Sequence, residues 1–329
     1  MTTVALLAAG TLAGCGGSSG SARLGGAQVT GVISAIDTSA PAGAASNRKT
    51  RILVNDVDYT LDENVNIQVE DAPADPSILA EGQVVTMETA TDDNGENLAT
   101  AIYLADEVEG VVFGDVTPSG MNVMGLNVTF TDSTRFAWHH RSTPVAPTDI
   151  GHGWVVEVHG FPSSNGIVAT RVEVKSNDYQ TYRDEFELKG TISAVSADII
   201  TIGSQQIGIT STTDTRKMPS QRANWVGMYV EVETDRNHIF LGDTIAITAT
   251  EIEPEERESH RDHDDYDEVE IHGIFTYVNG VARVNGDIVR VSDRIPVQTL
   301  RAFDGEFVEV EGRYENGVLV VYEIERDDD

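Results

Sequence analysis

Two histidine-bearing segments are the parts of this sequence best suited to binding chemistry. The first is an acidic stretch, residues 254–267, in which His260 and His263 stand among carboxylates. Imidazole nitrogens and carboxylate oxygens together ligate Zn, Cu or Ni, so His260 and His263 are candidate metal ligands. The alternative is a charged spacer with incidental histidines, and the density of acidic residues favours that alternative.

The second segment carries aromatic and imidazole side chains close together. Trp138, His139 and His140 are consecutive, and Trp154 and His159 follow in the same part of the chain. Such a cluster on a β face is suited to hold a sugar or a peptide, and we treat all five as candidate ligand-binding residues. For Trp154 the alternative is packing in a core, because it lies close to an alternating apolar run.

The sequence has none of the usual signs of catalysis. It lacks a nucleophile with a matching base, a phosphate loop and a dinucleotide fingerprint. Glu157, Glu231 and Glu309 recur at equivalent places, and alternation predicts that they face solvent. We therefore expect no enzymatic activity and no cofactor.

The charge balance limits the classes of partner that this chain is expected to bind. The chain has 54 acidic and 22 basic residues, for a formal net charge of -32. Such a surface repels phosphate backbones, so we expect no nucleic-acid partner. The simplest explanation of the excess of acidic residues is that they keep the protein soluble. The alternative is that they bind cations. With 40% hydrophobic residues, the chain is expected to fold.

The amino terminus resembles a bacterial lipoprotein signal. A short apolar run, too short to span a bilayer, ends in Leu12-Ala13-Gly14-Cys15, which resembles a lipobox. That resemblance implies cleavage before Cys15, the only cysteine, and attachment to a membrane by lipid on it. Met1-Thr2-Thr3 departs from the pattern because it supplies no basic residue.

These features predict a signal peptide at residues 1–14 and a flexible tether at 15–26. Gly16 follows the cysteine, where an aspartate would resemble an inner-membrane retention signal. The expected location is the cell envelope, at the outer membrane and facing the periplasm or the cell surface.

A glycine that opens an alternating strand recurs four times. Gly31, Gly110, Gly190 and Gly273 are 79, 80 and 83 residues apart. A near-constant spacing indicates internal repeats.

A second set of glycines, Gly82, Gly153, Gly227 and Gly305, is followed by apolar residues three and five places later. Side chains alternate across a strand, so each repeat has one face suited to its own small core. The predicted core residues are Val85, Met87, Val156, Val158, Val230, Val232, Val308 and Val310.

Each repeat contains about five short strands separated by turn signals, which predicts an all-β chain. Because closure removes exposed edges from so small a unit, we expect tandem five-stranded OB-like β-barrels. The motifs Gly-x-Ile-x-x-Val, Gly-x-x-Val-x-Val and Ala-x-x-Ile resemble bacterial lipoproteins built from the domain of unknown function 5666, over about residues 27–326. That family implies no activity.

The expected modules occupy residues 27–106, 107–178, 186–253 and 268–326, with 254–267 as a solvated linker. The leading functional hypothesis is a lipid-anchored envelope protein whose modules bind or scaffold a protein, a peptide or a glycan. The alternative is an envelope protein that binds or buffers metal cations through its acidic surface and the His260 and His263 linker.

Overall fold

The computed structural model describes residues 27–37, 49–70, 72–139, 141–163, 166–255, 269–278, 280–315 and 318–326. In this part of the chain the protein is all-β, with one α-helix, α1 (Val297–Ala302), and three short 3-10 segments, Pro76–Ile78, Pro147–Asp149 and Arg222–Trp225. The lipobox, the tether and the stretch with His260 and His263 lie outside the described residues. No helix among the described residues is apolar and long enough to cross a membrane.

The strands of the described residues form four consecutive groups, called units 1 to 4. Unit 1 contains β1 (Gln28–Asp37), β2 (Arg51–Val54), β3 (Val57–Val69), β4 (Ala72–Pro73), β5 (Val84–Thr91) and β6 (Asn97–Leu104). Unit 2 contains β7 (Val108–Val111), β8 (Gly120–Val123), β9 (Leu126–Trp138), β10 (Arg141–Pro144), β11 (Val155–Ser163) and β12 (Gly166–Ser176).

Units 3 and 4 complete the chain. Unit 3 contains β13 (Phe186–Val195), β14 (Ile199–Ile202), β15 (Gln205–Gly208), β16 (Tyr229–Thr234), β17 (Ile239–Leu241), β18 (Ile245–Thr248) and β19 (Glu251–Pro254). Unit 4 contains β20 (Val269–Val278), β21 (Val281–Val284), β22 (Asp287–Val291), β23 (Phe307–Glu315) and β24 (Val318–Arg326).

Units 1 and 4 pair their strands in one closed order, and units 2 and 3 follow variants of it. In unit 4, β20 pairs with β21, β21 with β22, β22 in parallel with β24, β24 with β23, and β23 again with β20. Unit 1 repeats this circuit as β1-β2-β3-β6-β5-β1. The hydrogen bonding therefore returns to the first strand, which leaves few exposed edges.

Units 2 and 3 show local variations of the circuit. In unit 2 the contact between β7 and β8 is reduced to a bridge between Val112 and Val123. Among the described residues, unit 4 has five strands, and unit 3 has two strands in place of its fourth and two in place of its fifth. The fourth strand corresponds to β16 and β17, and the fifth corresponds to β18 and β19. The parallel pairing of third and fifth strands persists in both units.

The predicted core side chains are buried as expected. All eight are 0% or 1% exposed, which confirms the face assignment: Val85, Met87, Val156, Val158, Val230, Val232, Val308 and Val310. The glycines that precede these pairs have φ between 82° and 90°, a conformation that glycine adopts at little cost.

The expectation of four separate cores is correct only in part. Units 1 and 4 each enclose their own cluster of buried apolar side chains. The buried side chains of units 2 and 3 form one continuous cluster, because their first strands pair with each other.

The first set of glycines lies inside its strands rather than at their starts, and close packing explains the residue type. A Cβ on Gly273 would lie 1.9 Å from Oδ1 of Asn285, and a Cβ on Gly31 would lie equally close to Oδ1 of Asn55. Asn285 Oδ1 accepts a hydrogen bond from the Ile274 amide at 2.9 Å. Glycine at this position thus leaves room for an asparagine side chain, which connects a turn to the first strand of the unit by a hydrogen bond.

We expect Gly273→Ala to lower the free energy of unfolding by about 1–3 kcal/mol, because the new methyl group displaces the Asn285 side chain. Urea denaturation measures the change. Gly208→Ala is the matched control, since a Cβ there meets other atoms only at 3.4 Å or beyond. Equal destabilisation by the two substitutions would contradict this explanation.

The units associate in two pairs through their first strands. β1 of unit 1 lies parallel to β20 of unit 4, and β7 of unit 2 lies antiparallel to β13 of unit 3. The second pairing creates a continuous face of six strands in the order β12-β11-β7-β13-β16-β19.

Candidate functional site

An open cleft of about 1840 Å³ lies between unit 1, unit 2 and the beginning of unit 3. Its floor is formed in part by the six-stranded face of units 2 and 3. Carboxylate, imidazole and ammonium groups line it, among them Glu157, Glu173, His139, His159 and Lys175. The lining of the cleft therefore includes several charged groups that could bind an ion or a polar ligand.

Six glutamates stand directly opposite one another across the six strands. We call this set the glutamate row: Glu173, Glu157, Glu109, Glu187, Glu233 and Glu251. Like charges at directly opposed positions destabilise a sheet unless other groups compensate them. The row must therefore be stabilised by cations or by protons.

Basic side chains compensate one end of the row. Arg171 donates to Glu173 Oε2 from Nε at 3.1 Å and from Nη2 at 2.7 Å. Lys175 Nζ forms an ion pair with Glu157 and lies 3.1 Å from Glu109 Oε2. Both basic groups belong to β12, and their hydrogen bonds orient the carboxylates they bind.

The middle of the row is compensated less completely. Burial and the neighbouring carboxylates of Glu70 and Glu231 raise the pKa of Glu187 to about 9. Burial and the charge of Glu185 raise the pKa of Glu233 to about 7. These carboxyl groups hold protons at pH values where an exposed glutamate is ionised.

The end of the row at Glu173 carries a cluster able to ligate a metal ion. One ligand atom each from His139, Glu157 and Glu173 lie within 4.8 Å of one another. The parallel pairing of β9 with β12 places His139 there, and its amide donates to the Val174 carbonyl at 2.9 Å. His139 Nδ1 also contacts Glu173 Oε1.

The two carboxylates are held in similar ways. Glu173 directs Oε2 to Arg171 and Oε1 to His139, while Glu157 directs Oε2 to Lys175. Glu157 Oε1 lies 2.7 Å from Nε2 of His159. In each carboxylate, one oxygen therefore contacts an imidazole and the other contacts a basic side chain, Arg171 or Lys175.

Electrostatics keep both carboxylates ionised. Burial acts in the opposite direction, but hydrogen bonds from Arg171 and His139 lower the pKa of Glu173. Burial is likewise outweighed at Glu157, where His159 and Lys175 hold the pKa well below its usual range. One imidazole nitrogen and two ionised carboxylate oxygens are a suitable ligand set for Zn²⁺, with further positions open to the cleft.

The structure separates the five residues predicted to bind a ligand. His139 and His159 both line the cleft and contact the opposed glutamates Glu173 and Glu157. Trp138 and Trp154 contact each other with ring centroids 5.4 Å apart and pack against the core of units 2 and 3. His140, with Cys15, His260 and His263, lies outside the described residues.

Two expectations about exposure are wrong. Glu157 and Glu231 were expected to face solvent, but their side chains are only 17% and 12% exposed. His159, at an alternate position on the same strand as Glu157, is buried at 3%. These residues do lie on the outer faces of their units, and the packing of unit against unit covers those faces.

One pair of outer-face positions differs in chemistry among the four units. In each unit, the residue before the glycine of the first strand opposes a residue on β5, β11, β16 or β23. The pairs are Thr30 with Thr86, Glu109 with Glu157, Lys189 with Glu231, and His272 with Glu309. The shared fold thus presents four different polar pairs at equivalent places.

Comparison with known proteins finds the repeat in the two central units. A family model described as Domain of unknown function (DUF5666) matches residues 109–173 and 189–253, so the chain carries tandem copies of that domain. No curated protein is similar enough in sequence to count as a relative.

Among solved structures, the chain titled "drosophila Unr CSD456" aligns at 13% sequence identity, covering 70% of this chain and 97% of that one. Its TM-score is 0.19, and so poor an overlap supports no conclusion about this chain.

Proposed function

We propose that this protein is a non-catalytic, lipid-anchored protein of the cell envelope that binds a divalent transition metal ion in the cleft. The observation that carries the proposal is the convergence of His139, Glu157 and Glu173, whose ligand atoms lie within 4.8 Å. The proposed metal site is therefore on the floor of the cleft rather than in the acidic stretch at residues 254–267. Zn²⁺ is the probe of choice for one imidazole and two carboxylates.

The organisation of the chain belongs to the same proposal. We take each unit to be an OB-like barrel, which is supported by the common pairing circuit with its parallel third and fifth strands. The lipid anchor on Cys15 and the outer-membrane location rest on the lipobox of the sequence. No nucleotide, flavin or other organic cofactor is part of the proposal.

Binding of an envelope protein, a peptide or a glycan is the second candidate function. The size of the cleft and its acidic lining favour a basic peptide among these ligands. Such a peptide would interact with the row of glutamates and would bind more weakly as salt increases.

Isothermal titration of the mature chain with Zn²⁺ tests the metal proposal. The protein should carry His260→Ala and His263→Ala throughout, so that the acidic stretch contributes no imidazole ligand. In that background, His139→Ala should weaken Zn²⁺ binding by about 100-fold, because it removes the only nitrogen of the set.

The matched control is His238→Ala, whose exposed imidazole pairs with Asp235 at 2.9 Å. This variant should bind Zn²⁺ as tightly as the background protein. Unchanged Zn²⁺ affinity in the His139→Ala variant would refute the proposed site, and the basic-peptide function would then be the better account of the cleft.

A further inference from the structure

A second group of carboxylates lies where unit 1, the segment between units 1 and 2, and unit 3 meet. Glu70 follows β3, Asp106 lies between β6 and β7, and Glu187 belongs to β13. One oxygen from each of these three residues lies within 4.8 Å of the others. Three distant parts of the chain therefore bring oxygen ligands to one point.

Carboxyl groups outnumber basic groups at this junction. The Lys189 side chain is 3% exposed, and its Nζ lies within 4 Å of four carboxylates, Glu70 at 3.0 Å, Glu231 at 3.5 Å, Glu255 at 3.7 Å and Asp106 at 3.8 Å. Glu187 adds a fifth carboxyl group. One ammonium group cannot neutralise so many buried carboxyl groups, so the others must hold protons or bind a further cation.

The Asp106 side chain provides an independent observation that points to a bound cation. The residue is 7% exposed, and among the described residues none forms a hydrogen bond with its Oδ1 atom. The Lys189 Nζ, at 3.8 Å, is beyond hydrogen-bond distance. A buried carboxylate oxygen without a hydrogen-bond partner is costly, and a bound cation would remove that cost.

The surroundings offer both access and space. Glu70, Asp106 and Glu187 line the inner part of the cleft, through which an ion can enter. Asp106 also borders a small cavity of about 70 Å³, which has room for water. A hard cation that keeps several water ligands fits these conditions.

We propose that Glu70, Asp106 and Glu187 bind Ca²⁺, which links unit 1 to unit 3. The ligand set consists only of oxygen atoms, which favours Ca²⁺ over the metals that prefer nitrogen or sulfur. This site differs from the one at His139 in its residues and in the class of its ion. Because the cation joins separate units, its binding stabilises the folded chain as a whole.

Calcium titration with thermal unfolding as a second readout tests the site. In the wild-type mature chain, Ca²⁺ should raise Tm in a saturable manner relative to buffer with EDTA. Asp106→Asn should weaken Ca²⁺ binding at least 10-fold, and Glu70→Gln, at a more exposed position, should do the same. His139→Ala should keep the wild-type Ca²⁺ affinity while losing Zn²⁺, which separates the two proposals.

Glu81→Gln is the matched control, because Glu81 lines the same cleft but is not one of the three ligands. It should leave the Ca²⁺ response unchanged. If Asp106→Asn does not fold, Glu70→Gln decides the question alone. Equal Ca²⁺ responses in the wild type and in Glu70→Gln would overturn the proposal, and so would a wild-type chain that Ca²⁺ does not stabilise.

Discussion

Replacing Lys189 by methionine should lower the free energy of unfolding by about 3–5 kcal/mol at pH 7 in the presence of EDTA. The Lys189 ammonium is buried and lies within 4 Å of Glu70, Asp106, Glu231 and Glu255. Methionine preserves much of the volume but leaves these carboxylates without their shared cation. Chemical denaturation followed by circular dichroism measures the loss.

Lys217→Met is the control for this prediction. Lys217 pairs with Glu251 and Glu253, but its side chain is 63% exposed, so its removal should destabilise the protein far less than that of Lys189. The destabilisation by Lys189→Met should also shrink as acid protonates the surrounding carboxylates. If the two substitutions had equal effects, the junction would not depend on the buried ammonium.

The second large effect concerns pH. Burial and nearby carboxylates raise the pKa of Glu187 to about 9, and burial is the largest cause that raises the pKa values of Glu231 and Glu233 to about 7. The native state therefore binds these protons more tightly than the unfolded state does. Their stabilising contribution is complete below the unfolded pKa, near pH 4, and is lost as pH rises through about 7 to 9.

In EDTA, the free energy of unfolding of the wild type should decrease between about pH 5 and pH 9. Glu187→Gln should flatten this decrease and stabilise the protein by about 1–3 kcal/mol at pH 9, since a neutral amide cannot be deprotonated. Denaturation curves at several pH values measure both slopes.

Glu315→Gln is the control, because Arg313 and Arg290 lower the pKa of this exposed glutamate. That group ionises well below the alkaline range, so its removal should leave the slope unchanged there. A wild-type stability that rises towards pH 9 would contradict the proton-holding role of Glu187, Glu231 and Glu233.

The internal repeat and the core positions were predictable from the sequence. Alternation after Gly82, Gly153, Gly227 and Gly305 depends on local strand geometry, and the buried valines follow from it. The need for glycine has a local cause as well, in a positive φ or in the approach of a turn such as that of Asn285.

The candidate site was only partly predictable. His139 stood out by its residue type, but its partner Glu173 depends on the parallel pairing of β9 with β12. The glutamate row depends further on the pairing of β7 with β13, two strands from different units. Long-range register of this kind leaves no signal in the spacing of one strand.

The incorrect expectations share one physical origin. A strand that alternates apolar and polar residues predicts one face for a core and one for water, and it does not reveal a neighbouring unit. Glu157 and His159 occupy polar positions of that pattern, but association of the units buries them. Charge at those positions therefore lies inside the molecule.

Anomalous diffraction from crystals grown with Zn²⁺ tests the central claim most directly. Data collected at the zinc absorption edge should show an anomalous peak about 2.0–2.2 Å from His139 Nδ1 and from one oxygen each of Glu157 and Glu173. Crystals of the His139→Ala variant should lack that peak. Zinc bound only elsewhere in wild-type crystals, with no peak between these three side chains, would contradict the account.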